Sequence, residues 1–135
     1  MTVAGRAMAV RNNGMFIDIK DISGKIQAFC HKNHLSEEDI ERLKCLDVGD
    51  MVGISGYVRR TPRGELSIAA EKFDIISKSL QPLPEKFHGL TDVDARYRQR
   101  YVDFIMNEDS KEIYRKRCQI TSAVRRWFEE NGFLE

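Results

Sequence analysis

The chain has 135 residues, 41% of them hydrophobic and 32% charged, with a formal net charge of +1. That size fits one domain with part of a second, and no apolar run approaches the ~20 residues that a helix needs to cross a bilayer. A near-neutral chain is also a poor general binder of nucleic acid, because sequence-independent affinity rests on neutralising many phosphates. Three cysteines, Cys30, Cys45 and Cys118, are widely spaced and odd in number. They suit neither a disulfide framework nor a zinc knuckle, so a reducing cytoplasm is expected. The first residues lack the architecture of a signal peptide and read as a strand entered directly.

Thr2 to Val10 reads as a first strand of small and apolar residues, with Gly5 expected to allow a bend or bulge. Arg11-Asn12-Asn13-Gly14 carries the Asn-Gly signal of a hairpin connection. The strand that follows alternates with a period of two: Met15, Ile17 and Ile19 share one face, and Phe16, Asp18 and Lys20 the other. Asp21-Ile22-Ser23-Gly24 is a tight turn. In the next strand Ile26, Ala28 and Cys30 face one way, and Lys25, Gln27 and Phe29 the other. The apolar faces build a core. Phe16 and Gln27 then stand among cations on an exposed sheet, which is equipment for one unpaired base: a ring to stack on, an amide to read an edge, cations for phosphate.

His31 to Leu35 is a loop. Two histidines three apart beside Cys30 invite a metal reading, but no second cluster completes a shell. Ser36 caps a short helix, with Glu37, Glu38 and Asp39 in its first turn and Ile40, Leu43 and Leu46 along one edge. Met51 to Arg60 is a fourth strand, with Val52, Ile54 and Val58 expected inward and Ser55, Tyr57 and Arg59 outward. Thr61-Pro62-Arg63-Gly64 turns the chain into a fifth strand, Glu65 to Ala70, with Leu66 and Ile68 inward and Glu65 and Ser67 outward. Phe73 to Leu80 continues it.

Three strands, a short helix and two strands is the order of an OB-fold, a five-stranded Greek-key barrel with its helix between strands three and four. An SH3-like barrel is the rival, which the helix placement disfavours. OB barrels bind oligonucleotides or oligosaccharides across strands two and three and the adjoining loops. The fold class is therefore mainly β. Gln81-Pro82-Leu83-Pro84 can continue neither a sheet nor a helix and marks a boundary. We divide the chain into a barrel over residues 1–80, a linker over 81–90 and a helical region over 91–135.

Beyond the linker the period becomes helical. Thr91 is placed to cap a helix with the stripe Val93, Tyr97, Tyr101, Phe104 and Ile105. After Asn107 to Ser110 a second helix runs to about Glu130, with the stripe Ile113, Ile120, Val124, Trp127 and Phe128, and Asn131-Gly132 as its stop. Two amphipathic helices without a sheet do not make a domain, so this half is expected to be truncated or completed by another chain. Arg96, Arg98 and Arg100 read as a solvated face with salt bridges between domains, or as an RNA contact. Asp47, Asp50 and Asp103 read as ordinary solvated carboxylates. There is no Gly-rich phosphate loop, no Ser/His/Asp grouping and no metal cluster, hence no catalytic site.

The run Lys86-Phe87-His88-Gly89-Leu90, followed by Ala95-Arg96-Tyr97-Arg98-Gln99-Arg100-Tyr101-Val102-Asp103, closely resembles the bacterial class II lysyl-tRNA synthetases. So do Val3-Ala4-Gly5-Arg6, Gly64-Glu65-Leu66-Ser67-Ile68 and Leu80-Gln81-Pro82-Leu83-Pro84. The resemblance spans the whole chain in order. It implies an OB-fold that binds the anticodon of lysine tRNA, followed by the start of a truncated α+β catalytic domain whose second helix belongs to a dimer-interface motif. It further implies that Phe16 stacks on the central anticodon uridine, that Gln27 hydrogen-bonds it, that Arg11 contacts the same nucleotide and that Glu65 lies near the first anticodon position. The hairpin before Phe16 is about two residues shorter than the family's usual form, which bears most on Arg11. The full-length enzyme is expected to use ATP and magnesium and to be a cytoplasmic homodimer. The ATP- and lysine-binding motifs are missing here, so this fragment needs no cofactor and is inactive alone. Aspartyl- and asparaginyl-tRNA synthetases share the barrel and the central uridine, and a general single-strand-binding OB protein is the remaining alternative.

Overall fold

The computed structural model describes residues 1–84 and 90–134, so the Lys86-Phe87-His88-Gly89 run, half of the expected linker (85–89) and Glu135 lie outside the described residues. Five strands form a closed barrel: β1 (Thr2–Arg11), β2 (Phe16–Lys20), β3 (Lys25–Phe29), β4 (Met51–Arg60) and β5 (Leu66–Ser77). Their spatial order is β1-β2-β3-β5-β4, with β4 returning to β1. Helix α1 (Glu37–Lys44) lies between β3 and β4 in sequence. This is the OB arrangement expected from the order of elements.

The hairpins follow from local chemistry. Asn12 and Asn13 take φ of 51° and 53°, the left-handed region that asparagine tolerates better than most residues, and Gly14 follows at 87°. The second turn is held by the Asp21 carboxylate, which accepts from the Ser23 and Gly24 amides at 2.7 and 2.9 Å. Ser36 caps α1 as expected, its Oγ accepting from Asp39 N at 3.1 Å, and Leu43 and Leu46 seal one side of the core.

The core is Ala7, Ile17, Ile19, Ala28, Val52, Ile54, Ile68 and Phe73 with their neighbours, and alternation places most of it correctly. Val58 and Leu66, expected inward, are instead half exposed. β1 pairs with β4 only through Met51–Ser55, and β3 pairs with β5 only over Ser67–Ala69. The far end of the β4–β5 ribbon therefore projects past the barrel and has no interior to face. Gly5 does not make the expected bulge; the shift in β1 falls between Ala7 and Ala9. What Gly5 provides is close approach, since a Cβ there would sit 2.7 Å from the Lys20 carbonyl oxygen.

Asp50 is fully buried rather than solvated. It accepts from the Asp47 and Ser79 amides at 2.8 and 2.7 Å and from Lys78 Nζ at 2.5 Å, tying the end of β5 to the loop before β4. Burial pushes its carboxyl up, but Lys78 and the two amides hold it below the usual carboxylate range.

Met1–Leu83 and Pro84–Glu135 are separate compact units. In the second, α2 (Val93–Arg98), α3 (Arg100–Met106) and α4 (Glu108–Glu130) follow one another. The cap is Asp92 and not Thr91, since Asp92 Oδ1 accepts from Ala95 N at 2.7 Å. The expected first helix is two short ones, broken where Gln99 takes φ −115° and ψ 57°. Asp103, also expected to be solvated, is fully buried between them. It receives Arg96 Nε at 2.8 Å, Arg100 at 2.6 Å and Asn107 Nδ2 at 2.7 Å. Two arginines of the run thus serve their own unit. α4 ends as expected, with Phe133 N donating back to Phe128 O at 3.0 Å. Its stripe from Ile113 to Phe128 is exposed within the described residues.

Candidate nucleic-acid interface

A cleft of about 800 Å³ opens on the β2–β3 face, between the β1–β2 and β4–β5 turns. Arg11, Phe16, Gln27 and Glu65 all line it, so the barrel brings the four sequence-derived candidates together. They come from four places in the chain: the end of β1, the start of β2, the middle of β3 and the turn before β5.

Phe16 opens β2 opposite Phe29 of β3. Their rings lie 5.2 Å apart at 43°, each partly exposed. The guanidinium of Arg59 lies over the Phe29 ring at 5.0 Å, within cation–π range. Phe29 and Arg59 were not among the site candidates. Alternation from Gln27 signals Phe29. Nothing local signals Arg59, because its place depends on β4 reaching past the barrel.

Gln27 is only 7% exposed, where alternation alone makes it an open surface residue. β3 and β5 run parallel with Gln27 opposite Ser67. Ser67 Oγ donates to Gln27 Oε1 at 3.0 Å, and Gln27 Nε2 donates to Glu65 Oε2 at 3.3 Å. Ser67, also expected outward and open, is buried by the same pairing. These two bonds fix the amide the right way round and leave its second Nε2 proton for a ligand. Glu65 is set by its turn: its amide donates to Thr61 Oγ1 at 3.1 Å and its carbonyl accepts from Thr61 N at 2.9 Å.

Asp18 lies beneath the cleft, 2% exposed. Arg11 grips it with two nitrogens at 2.7 and 3.3 Å, and Lys25 Nζ lies 2.9 Å away. Burial pushes the Asp18 carboxyl up, but Lys25 and Arg11 outweigh that and keep it ionised below the usual range. Asp18 orients the two cations while cancelling part of their charge. Arg11 is thus half exposed and anchored, free to turn only its outer edge to a phosphate or base.

The chemistry follows from these parts. A flat aromatic pair, an oriented amide donor, a carboxylate acceptor and a few restrained cations suit an unpaired nucleotide better than a duplex. Among the described residues no three His, Cys, Asp or Glu side chains gather as a metal site, and no helix is long and apolar enough to cross a membrane.

Comparison with known proteins agrees with that geometry. Residues 1–76 match the family of OB-fold nucleic acid binding domains, and residues 92–135 match the class II tRNA synthetases for D, K and N. A lysine–tRNA ligase of Rhizobium etli is 52% identical over 135 residues, and the match covers all of this chain and 27% of that protein. One from Sinorhizobium medicae is 51% identical over the same span and share. One from Dehalococcoides mccartyi is 52% identical over 137 residues, covering 28% of it. The chain thus spans about a quarter of the length of the curated relatives it matches.

Proposed function

Because this chain belongs to the family of OB-fold nucleic acid binding domains, we propose that its barrel reads the anticodon of lysine tRNA, as the recognition region of a longer lysine–tRNA ligase. The observation that carries this reading is the partly exposed Phe16 ring beside an amide whose orientation is fixed by Ser67 and Glu65. Phe16 stacks on the central uridine. The remaining Gln27 Nε2 proton donates to uracil O4, where cytosine presents an amino donor instead. Arg11 steadies the same nucleotide, and Glu65 lies toward the first anticodon position. Similarity to lysine–tRNA ligases along the whole chain supports lysine tRNA as the partner.

Stacking worth ~1–3 kcal/mol and a few polar contacts give micromolar affinity for the isolated chain. In this reading the longer protein is a cytoplasmic homodimer that joins lysine to its tRNA using ATP and magnesium. The buried carboxylates Asp18, Asp50 and Asp103 are all ion-paired, so we assign none of them to ATP or magnesium. This chain's residues contribute recognition.

The test is competition among stem-loops. Anticodon stem-loops for lysine, asparagine and aspartate share the central uridine and differ at flanking positions. The 135-residue chain should prefer the lysine loop by about tenfold, ~1.4 kcal/mol. Equal binding to all three would leave a shared barrel without lysine specificity. Equal binding to an unrelated loop, with a steep salt dependence, would make it a general single-strand binder.

A further inference from the structure

The aromatic surface on β2 and β3 continues past the cleft. The His31 ring stacks on Phe29 at 5.7 Å and 30°, and His34 follows at 5.8 Å and 58°. Phe16, Phe29, His31 and His34 thus form one row of four rings, of which Phe16 and Phe29 line the cleft.

The row is built by backbone geometry. Phe29 and His31 share a face by alternation, and pairing with β2 persists one residue beyond Phe29, with Cys30 N donating to Met15 O at 2.8 Å. The chain then turns: His34 N donates to His31 O at 2.9 Å, and Asn33 N donates to His31 Nδ1 at 3.3 Å. That second bond fixes the plane of the His31 ring and leaves the proton of neutral imidazole on Nε2. His31 is partly buried against Phe29, while Lys32 and His34 are exposed in the same turn. A metal is a poor fit, because the neighbouring Cys30 is buried and its thiol is pushed up to about 12. A flat, oriented, partly exposed imidazole continuous with two phenyl rings, with a lysine beside it, has the composition of a stacking site for a further unpaired base.

We propose that His31, buttressed by His34, extends the stacking surface beyond the cleft. It holds a second unpaired RNA nucleotide next to the base on Phe16, with Lys32 toward its phosphate. This rests on the anticodon reading and adds a flanking loop nucleotide to it.

The experiment titrates the 135-residue chain with a fluorescein-labelled lysine anticodon stem-loop, and with copies carrying an abasic site at each loop position in turn. Two variants separate stacking from turn formation. His31→Asn keeps an acceptor for Asn33 N and loses the ring. His31→Phe keeps the ring face and loses the acceptor. Equal thermal midpoints establish that both are folded. His31→Asn is expected to raise Kd about fivefold, and His31→Phe to stay within about twofold of the unaltered chain. The Asn effect should vanish on a single abasic loop whose missing base is not the central uridine. Unchanged binding by His31→Asn, losses as large for Phe as for Asn, or an Asn loss that persists on every abasic loop each overturn the proposal. Phe16→Ala with the centrally abasic loop runs alongside. A coupled loss there, with none at His31, removes only the flanking contact; no loss at either removes the anticodon reading as well.

Discussion

Asp18 alternates to the solvent side of β2, yet it has almost no exposed surface, because Arg11 and Lys25 close over it. Sequence periodicity gives the side of the sheet on which a residue lies and is silent about what covers it. Gln27 and Ser67 are covered in the same way, by a parallel strand pair that joins residues 40 apart in sequence. Replacing Asp18 with Asn leaves Arg11 and Lys25 without their anion. Both are about half exposed, so water recovers most of the lost interaction and the cost is only ~1 kcal/mol. The freed charges should steepen the salt dependence of RNA binding, measured as the slope of log Kd against log salt. An unchanged slope would mean that neither cation faces phosphate. Gly56 shows the opposite sensitivity. A Cβ there would overlap the Ala69 carbonyl across the β4–β5 pairing, at a register shift in that ribbon. Gly56→Ala should therefore cost at least ~2 kcal/mol in urea unfolding, and a loss below half that would show that the ribbon can shift to make room.

The first of the expected C-terminal helices is where periodicity misled. Its apolar stripe from Val93 to Ile105 is continuous, so nothing in the pattern marks the break at Gln99. On either side of the break Arg96 on α2 and Arg100 on α3 both pair with Asp103. The long α4 was legible because stripe and stop signal agree. Burial pushes the Asp103 carboxyl up, but bonds from Asn107, Arg96 and Arg100 outweigh it and bring it to about 2. An unfolded aspartate titrates near ~3.9, so the unfolded chain takes up the proton first. The contribution of Asp103 is thus complete above about pH 5 and is lost as pH falls toward ~2. Helical circular dichroism of the second unit, followed by acid titration, should show this loss. In Asp103→Asn it should be weaker in acid, with lower stability at neutral pH. An identical acid limb in the variant would assign that loss to other carboxylates.

At the scale of the molecule, the order of elements was enough to identify the barrel, because strand, helix and turn signals recur in one order along the chain. The closure was not legible: the parallel β3–β5 pairing and the projecting β4–β5 ribbon come from three-dimensional contacts. That ribbon brings Arg59 and Glu65 to a face defined by Phe16 and Gln27. With a net charge of +1 and Arg11 and Lys25 tied to Asp18, affinity must come from placed contacts more than from phosphate neutralisation. The most direct test is a double-mutant cycle at the central contact. The unaltered chain and Phe16→Ala are each titrated with the lysine anticodon stem-loop and with the same loop carrying cytidine at its central position. Each single change should weaken binding by ~1–3 kcal/mol, and the two together by clearly less than their sum. Strict additivity, or an unaltered chain that binds both loops equally, would contradict the account, because Phe16 and the central uridine would then not be one contact.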